Sequence, residues 1–358
     1  MNPNKIWYNL LILGNGFDLH LHLKSSFKDF FERKVLDNKD FNHNYNNLLF
    51  YLIYLRFYYP GKASKTLFKM VYEDNPNWMD IESFIKIIAT NTRIMDGILK
   101  SMSYRNPNVA PPMGEDIFIV LIGRFLNKLN LPKSNYDRNT IESLLNDNLL
   151  EFEQMFSEYI KTEIDLHPEY QAERTNFINQ ILKSSGCISD YCDLQILNFN
   201  YTSSGNNDLN EANVHGDLNN KVVMGYDSTD LIVHDEHVIQ LSKEWRKMDV
   251  PFEYPDDTHQ IADIIVYGHS LGEQDYPYFF EIFDKADFLS NKCRVRFILC
   301  YSDYGDEKTQ RNALEKYKIN ASKLLNAYER YKIPNITRNT IVTSLLLSNP
   351  KRLLFIKI

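Results

Sequence analysis

The sequence predicts an α/β fold in which a doubly wound parallel sheet carries a large helical insertion. Near the N-terminus, an apolar run over 6–13 stops at a glycine turn over 14–16 and is followed by apolar residues at helical spacing. Residues 31–185 show helical periodicity almost throughout, and from residue 194 onward short apolar runs alternate with helical patterns. Strands that alternate with helices are typical of parallel sheets covered on both faces.

The first strand, turn and helix have the pattern of a nucleotide site. Glycines at 14 and 16 accept positive φ and let another backbone or a ligand approach closely. Amides at the start of the following helix favour phosphate, and this helix is predicted to continue to Phe31. Leu19 stands where the dinucleotide fingerprint has its third glycine, so an ordinary strand-to-helix turn also explains the pattern.

The middle of the chain is predicted to be helical. Apolar residues recur at helical spacing over 45–57, 81–90, 115–129, 141–160 and 170–184. Prolines near 60, within 105–112 and at 132 separate several of these segments. We therefore predict a nucleotide-binding α/β domain formed by 1–30 and 186–358, and a helical insertion or cap formed by 31–185.

Strand patterns return in the C-terminal half of the chain. Short apolar runs occur at 194–199, 212–214, 222–224, 261–267 and 295–300, and helical patterns lie among them at 276–288 and 310–331. Continuous apolar runs are expected for strands of a parallel sheet that is covered on both faces. The last segment, 339–358, is predicted to add one or two edge strands.

Composition restricts the class of protein. The chain has 358 residues, a formal net charge of −7 and four cysteines. The acidic balance argues against broad electrostatic binding of nucleic acid, and the lack of a C-x-x-C pair excludes zinc-ribbon and thioredoxin-like sites. The N-terminal apolar run ends in a glycine turn instead of a cleavage site, and the run 48–59 is too short and too charged to span a bilayer. We therefore expect a cytoplasmic protein with no membrane partner.

Five polar clusters lie at or just after predicted strands, where open α/β sheets bind their ligands. Each cluster alone has a structural explanation, because Asn and Asp cap helices, Gly forms turns and Ser begins helices. All five fall in the predicted α/β part, and their combination predicts a site there. The clusters are Gly14-Asn15-Gly16-Phe17-Asp18, Asn198-Phe199-Asn200-Tyr201-Thr202, Val214-His215-Gly216-Asp217, Gly225-Tyr226-Asp227, and Tyr267-Gly268-His269-Ser270-Leu271 with Asp275.

The ordered set of motifs resembles the AbiH family of bacterial phage abortive-infection proteins. The set comprises Gly-Asn-Gly-Phe-Asp-Leu, Trp78-x-Asp80-Ile81-Glu82, Asn-Phe-Asn-Tyr-Thr, His-Gly, and Gly-His-Ser-Leu followed by an aspartate. That family is in turn distantly similar to sirtuin-like NAD-binding proteins, whose sheet binds NAD and whose defence members hydrolyse it. The resemblance implies a Rossmann-like, sirtuin-like sheet and a hydrolase in phage defence. NAD or a related nucleotide would be its substrate or ligand, and no other cofactor is implied.

The resemblance also implies roles for individual residues. Asn200 would lie beside the nicotinamide ribose, and His215 would be the general base. The remaining residues would contact the nucleotide: Gly14, Asn15 and Gly16 at the diphosphate, Gly268 and Ser270 at the adenine-ribose side, and Phe17, Asp18, Tyr201, His269 and Asp275 around them.

Histidine and asparagine suit this chemistry. Cleaving the nicotinamide–ribose bond develops oxocarbenium character, and nicotinamide leaves readily, so the reaction needs a held water and a base more than a strong acid. Histidine titrates near neutral pH, and an amide orients a water or hydroxyl by donating and accepting hydrogen bonds. The sequence departs from the sirtuin-like pattern at two positions. Asn15 stands where those proteins have a small residue between the glycines, and Thr202 stands where an acidic residue commonly follows the asparagine. The zinc-binding cysteines of the deacylases are missing, which favours glycosidic cleavage over deacylation.

Two other functions remain open. The first is a nuclease that uses Asp18, Asp80, Glu82 or Asp275 around magnesium, although these carboxylates are scattered in the sequence. The second is a non-catalytic sensor that binds a nucleotide and signals through the cap. A phage-derived trigger and a homo-oligomer are expected partners, because toxic NAD hydrolysis would need restraint.

The sequence gives weaker evidence of a functional role for polar residues outside the five clusters. Trp78, Asp80 and Glu82 sit where a helix is predicted to begin, so they either cap it or help the insertion close over the nucleotide. His234 and His237 have a spacing that metal ligands use, but they lie in a charged, loop-like stretch. We therefore predict no metal site.

Overall fold

The structure is a computed structural model and describes residues 7–36, 46–57, 81–101, 117–129, 137–187, 192–203, 210–226, 236–250, 260–290, 292–302, 307–335, 340–348 and 350–358. Internal contacts divide the chain into two compact units. The α/β unit comprises 1–25, 160–221 and 251–358. The helical unit comprises 26–159 and 222–250.

Six parallel strands form the sheet of the α/β unit. They are β1 (Trp7–Leu13), β2 (Cys192–Asn198), β3 (Asn210–Asn213), β4 (Gln260–Tyr267), β5 (Arg296–Tyr301) and β6 (Leu353–Lys357). Their order in the sheet is β3-β2-β1-β4-β5-β6, and every pair of neighbours is parallel. This is the strand order of doubly wound dinucleotide-binding sheets, and the predicted parallel α/β fold is confirmed.

Within the described ranges, the helices fall along the chain as the periodicity predicts in most places. They are α1 (Gly16–His20), α2 (Phe27–Leu36), α3 (Leu48–Phe57), α4 (Ile81–Thr90), α5 (Thr92–Ser101), α6 (Ile117–Lys128), α7 (Arg138–Asp165), α8 (Tyr170–Ser185), α9 (Glu236–Gln240), α10 (Lys243–Lys247), α11 (Tyr276–Lys285), α12 (Glu307–Lys332) and α13 (Ile341–Leu347). A single 3₁₀ turn, Glu273–Asp275, directly precedes α11. No helix within the described ranges is both long and apolar enough to cross a membrane.

Strand β1 is buried on both faces, which explains its continuous apolar run. Leu10 and Ile12 pack in a core cluster with residues of α11, α12 and α13. Leu11 and Leu13 pack in a second cluster with residues of α8. Because neighbouring side chains of a strand point to opposite faces, one run of leucine and isoleucine supplies both layers.

The helical unit has an aromatic core of its own. Phe31 stacks on Phe50 with 4.6 Å between ring centroids, and Phe30 meets Phe152 edge to face at 5.6 Å. A buried ion pair joins Arg246 to Glu153 in this unit. These contacts come from helices α2, α3, α7 and α10.

The first helix is shorter than the sequence predicts. The single helix predicted to run from Phe17 to Phe31 is wrong, because α1 ends at His20 and α2 begins at Phe27. His22 adopts a left-handed φ of 61°, which a continuous helix does not allow. Ser26 then caps α2, since its Oγ accepts a hydrogen bond from the amide of Asp29 at 3.1 Å.

The segment 222–224 is buried but is not a strand, so the strand predicted there is wrong. Its burial comes from the helical unit, where the amide of Met224 donates to Oε1 of Glu153 at 2.7 Å. Short apolar runs predict burial and leave open what covers them. At the C-terminus, one strand, β6, follows α13.

Two segments belong to a different unit from the one in which the sequence analysis places them. Helix α8 lies within the α/β unit, because Tyr170, Phe177 and Ile181 pack against β1 and β2 residues. Residues 222–250 lie within the helical unit. A boundary placed where helical periodicity stops cannot distinguish an insertion helix from a helix that covers the sheet.

Candidate functional site

The candidate site lies at the carboxyl ends of β1 to β4. The chain order of the strands reverses between β1 and β4, and ligands of such sheets bind outside the carboxyl ends at this point. One polar side chain stands two residues after the end of each of these strands. These side chains are Asn15 after β1, Asn200 after β2, His215 after β3 and His269 after β4. The first, second, third and fifth polar clusters are therefore brought to one edge of the sheet.

The described residues of the fourth polar cluster belong to the other compact unit. Gly225 and Tyr226 belong to the helical unit, where Tyr226 forms a parallel bridge with Ser242. Asp227 lies outside the described residues. The prediction that all five clusters fall in the α/β part is therefore wrong for this cluster, because its neighbour 222–224 is buried in the other unit.

The turn after β1 interlocks with the turn after β4 through backbone contacts. The amide of Gly14 donates to the carbonyl of Tyr267 at 3.0 Å, and the amide of Gly16 donates to the carbonyl of Gly268 at 2.8 Å. A Cβ on Gly14 would lie 2.4 Å from Cα of His269. Packing between the turns is therefore sufficient to explain why both positions are glycine. The predicted contact of 14–16 with a diphosphate stays a prediction.

The other residues of the first turn are also engaged within the α/β unit. Oδ1 of Asn15 accepts a hydrogen bond from Oγ of Ser25 at 2.6 Å. The amide of Phe17 donates to the carbonyl of Gly14 at 2.8 Å, and the Phe17 ring is fully buried. The turn is therefore held by the protein on both its backbone and its side chains.

Asp18 is a buried carboxylate that joins two helices to the loop after β2. Its Oδ1 accepts from the Tyr170 hydroxyl at 2.7 Å, and its Oδ2 accepts from Oγ1 of Thr202 at 2.9 Å. Burial raises the pKa of Asp18 from 3.8 to about 6, although both hydrogen bonds and the nearby Arg174 guanidinium oppose this rise. Burial and the Asp18 charge raise the pKa of Tyr170 well above its usual value, so the hydroxyl stays a donor.

A second layer of buried charge lies beside Asp18. Arg174 of α8 forms an ion pair with Glu211 of β3, and both side chains are almost fully buried. Nδ2 of Asn198 donates to the same Oε1 of Glu211 at 2.7 Å. This layer fixes the end of β2, from which the loop 199–203 departs.

The loop after β2 holds Asn200 in one orientation. Its amide donates to Oδ1 of Asn198 at 2.9 Å, and its carbonyl accepts from Nδ2 of Asn213 at 2.8 Å. Its side-chain Nδ2 donates to the carbonyl of Gly14 at 3.1 Å, which fixes the amide because a carbonyl only accepts. Within the described residues, Oδ1 of Asn200 is buried without a hydrogen-bond partner, so it can accept from a ligand hydroxyl or a water.

Two buried histidines converge on one carboxylate. Nε2 of His215 lies 3.6 Å from Oδ1 of Asp275, and Nε2 of His269 lies 3.3 Å from Oδ2 of the same residue. The side chain of Asp275 is only 17% exposed, and those of the histidines are less exposed. The arrangement can hold a proton on either ring next to a carboxylate, as acid–base chemistry requires.

Aromatic rings surround His215. Its ring centroid lies 5.6 Å from that of Phe199, 6.0 Å from that of Tyr278 and 6.5 Å from that of Tyr201. The first two contacts are edge to face. Such rings exclude bulk water from the imidazole and offer apolar faces to a planar heterocycle.

Other predicted or considered residues make contacts with residues outside the pair of histidines and Asp275. Ser270 is exposed, and its carbonyl accepts from Nδ2 of Asn320 at 2.9 Å. His20 stacks on Phe177 with 4.0 Å between centroids, and burial lowers the pKa of His20. Glu82 belongs to the helical unit, where it pairs with Nζ of Lys243 at 2.7 Å.

The metal-dependent alternative gains no support from the described residues. They contain no group of three or more His, Cys, Asp or Glu arranged to hold a metal ion. Trp78, Asp80 and His234 lie outside the described residues, as does the side chain of His237. Asp18, which the nuclease hypothesis names, uses both its oxygens to accept protein hydrogen bonds.

Comparison with known proteins adds one finding. A family model described as bacteriophage abortive infection AbiH matches residues 10–298. No curated protein and no solved structure gives a significant match to the chain. The matched range contains every residue of the candidate site and reaches from β1 into β5.

Proposed function

The chain belongs to the AbiH family of bacteriophage abortive infection proteins, and from this premise we propose that it defends cells by hydrolysing NAD, or a related nucleotide, at the nicotinamide–ribose bond. The observation that carries the proposal is the pairing of His215 with Asp275 at the sheet edge that also carries the buried acceptor of Asn200. A base and a hydrogen-bonding amide are the groups that hydrolysis of a glycosidic bond needs when the leaving group is already good.

Hydrolysis of the nicotinamide–ribose bond uses Asn200, His215 and Asp275 in this proposal. A water placed beside Asn200 Oδ1 attacks C1′ of the ribose while the C1′–N bond breaks. The bonding pair leaves with the nicotinamide nitrogen, which becomes neutral. His215 takes the proton of the attacking water, and Asp275 stabilises the imidazolium that forms. The products are nicotinamide, ADP-ribose and the proton.

Three features support a nucleotide as the substrate. The strand order is that of dinucleotide-binding sheets, and Asn200, His215 and His269 stand at the edge where such sheets bind ligands. The order of the motifs resembles that of sirtuin-like NAD-binding proteins. The rings of Tyr201 and Tyr278 offer faces on which a pyridine or purine ring can stack.

The test measures total NAD in cells during phage infection. Cells carry the intact chain, His215→Ala, or His22→Asn, a control at an exposed histidine whose left-handed backbone asparagine tolerates. NAD should fall with the intact chain and with His22→Asn, and should not fall with His215→Ala. A fall that persists in His215→Ala contradicts its role as the base.

Two further outcomes favour the alternatives. If NAD is unchanged while RNA or DNA is degraded, and EDTA stops this degradation in the purified protein, the protein is a nuclease. If neither pool changes and infection still aborts, the result favours a sensor that binds a nucleotide at the candidate site as a signal. In both cases the proposal of NAD hydrolysis fails.

A further inference from the structure

We propose that the two histidines on Asp275 have different tasks: His215 takes the proton, whereas His269 donates from Nε2 and positions Asp275. The chemical purpose of this arrangement rests on the proposed function. The assignment itself rests on hydrogen-bond geometry, and it can be tested without a substrate.

The backbone fixes the tautomer of His269. The amide of Leu271 donates to Nδ1 of His269 at 2.9 Å, so Nδ1 is an acceptor and the ring proton of the neutral form is on Nε2. Nε2 faces Oδ2 of Asp275 at 3.3 Å. A second proton on this ring would place two N–H donors against each other at Leu271, and the Leu271 hydrogen bond would be lost.

The turn that carries His269 cannot easily relax. Leu271 has a left-handed φ of 55° and Gly268 one of 71°. A Cβ on Gly268 would lie 2.3 Å from the amide nitrogen of Phe17, so the turn is locked against the turn after β1. The acceptor position of Nδ1 is therefore built into the backbone.

Asp275 is oriented toward the rings. It is the residue before α11, yet its side chain makes no capping hydrogen bond in the described structure. One oxygen faces each histidine. With Nε2 of His215 facing this carboxylate, the proton of the neutral ring lies on Nε2, and Nδ1 is the nitrogen that accepts the proton of the attacking water. This is the logic by which a buried carboxylate orients a catalytic histidine.

Within the described residues, groups from four elements lie around His215. The loop after β2 contributes Phe199 and Tyr201, and α11 contributes Tyr278. The 3₁₀ turn contributes Asp275, and the turn after β4 contributes His269 through that carboxylate. Asp275 is the negative charge in this set, so the stability of the imidazolium at His215 depends on it.

The test is ¹⁵N NMR of histidine side chains in the full chain without a ligand, compared with Asp275→Asn. His269 should show a protonated Nε2 and an acceptor Nδ1, while His215 takes up a second proton as the pH is lowered. At a fixed pH, Asp275→Asn should lower the ratio of protonated to neutral His215 about tenfold or more. Asp287→Asn is the matched control, because Asp287 is exposed and its φ of 46° suits asparagine.

Two spectral results would overturn the assignment. One is a His269 ring that carries its proton on Nδ1 or becomes doubly protonated first. The other is an Asp275→Asn protein in which the ratio of protonated to neutral His215 equals the ratio in Asp287→Asn. Neither depends on NAD cleavage, so the assignment survives or fails separately from the proposed function.

If the purified protein cleaves NAD, kinetics supply a second readout. Asp275→Asn should lower kcat about 100-fold with little change in KM, because the base loses its orienting charge. His269→Ala should lower kcat about tenfold, and His269→Gln should restore much of this loss, since its amide can again donate to Asp275. A His269→Gln protein as slow as His269→Ala contradicts the positioning role.

Discussion

At the scale of single residues, Asp18 is the link between the first two polar clusters. Its carboxylate accepts from Tyr170 and Thr202 and is almost fully buried. Through Thr202 it holds the loop that presents Asn200. The ribose contact predicted for Asp18 stays a prediction. In the structure its hydrogen bonds position other residues.

The raised pKa of Asp18 predicts a characteristic pH dependence of stability. The unfolded chain loses this proton near pH 3.8, whereas the folded chain keeps it to about pH 6. Between these values the folded state binds more protons, so this group makes the free energy of unfolding fall as the pH rises, by up to about 3 kcal/mol. Asp18→Asn removes this dependence.

Urea unfolding of both proteins from about pH 4 to about pH 7 measures the effect. The stability of the wild type relative to Asp18→Asn should decline through the window and level off above it. Asp165→Asn, at an exposed acid of the same unit, should give a flat difference. A difference that rises with pH would mean that the carboxylate is stabilised in its charged form.

Much of the site could be predicted from the residues themselves. Asn200, His215 and His269 follow apolar runs at strand ends, and parallel strands bring their carboxyl ends together. Tyr170 and Arg174 could not be predicted as partners, because they lie on a helix whose periodicity indicates only that one face is buried. Thr202 was visible in its motif, but its partner Asp18 is set by tertiary packing.

At the scale of elements, the two glycine turns act as one structure. Gly268 has a left-handed φ, and the space where its Cβ would lie is filled by backbone of the first turn. The turns together carry His269 and the Gly14 carbonyl that holds Asn200. Sequence patterns predict each turn, but their interlocking follows from the adjacency of β1 and β4.

Gly268→Ala tests the interlocking, with Gly186→Ala as the matched control. Both glycines have left-handed φ, but a Cβ on Gly186 meets nothing within 4 Å. Gly186→Ala should therefore lose only the backbone preference, about 1 kcal/mol of unfolding free energy. Gly268→Ala adds a backbone clash and should lose more than about 3 kcal/mol. Equal losses in denaturant unfolding would mean that the turns separate easily.

The segment 222–250 shows why the element predictions failed locally. Its apolar run Val222-Val223-Met224 looks like a strand, yet its amide at 224 is satisfied by a carboxylate of α7. Glu153 also accepts from Nε and Nη2 of Arg246. A buried carboxylate thus accepts from the amide at 224 where a strand would bond to its neighbour, and no periodicity in the sequence predicts this contact.

Glu153→Gln should therefore destabilise the helical unit strongly. It keeps the shape of the side chain but leaves the buried Arg246 charge without its counter-charge, a loss of about 3–5 kcal/mol. Adding Arg246→Met should recover part of this loss in a double-mutant cycle. Asp147→Asn, at an exposed position of the same helix, should change stability by less than about 0.5 kcal/mol. Additive losses in the cycle would contradict the ion-pair explanation.

At the scale of the whole molecule, local sequence patterns predict most strands and helices, but they do not predict the order of the strands in the sheet. Hydrophobic runs predicted β1, β2, β4 and β5 and most helices. The order β3-β2-β1-β4-β5-β6 is not contained in any run, because it depends on which strands pair across long insertions. That order decides which polar residues meet, so a site dispersed from residue 14 to residue 275 becomes visible only once the sheet is assembled.

Restraint of the proposed activity is a property of the whole molecule. An enzyme that destroys NAD without control would kill its own host, so we expect the purified chain to be nearly inactive until a phage product or self-association activates it. Association driven by mass action makes the activity per molecule rise with protein concentration. Turnover should therefore rise at least about tenfold when the chain is concentrated or mixed with extract of infected cells, together with an increase in mass by light scattering.

His215→Ala separates assembly from chemistry in this experiment. It should show the same increase in mass without NAD turnover, because His215 lies within the buried aromatic surroundings of the α/β unit. Extract of uninfected cells is the matched control for the trigger. A dilute monomer that cleaves NAD at full rate would exclude both forms of restraint, and the host would then have to be protected by low expression of the protein instead.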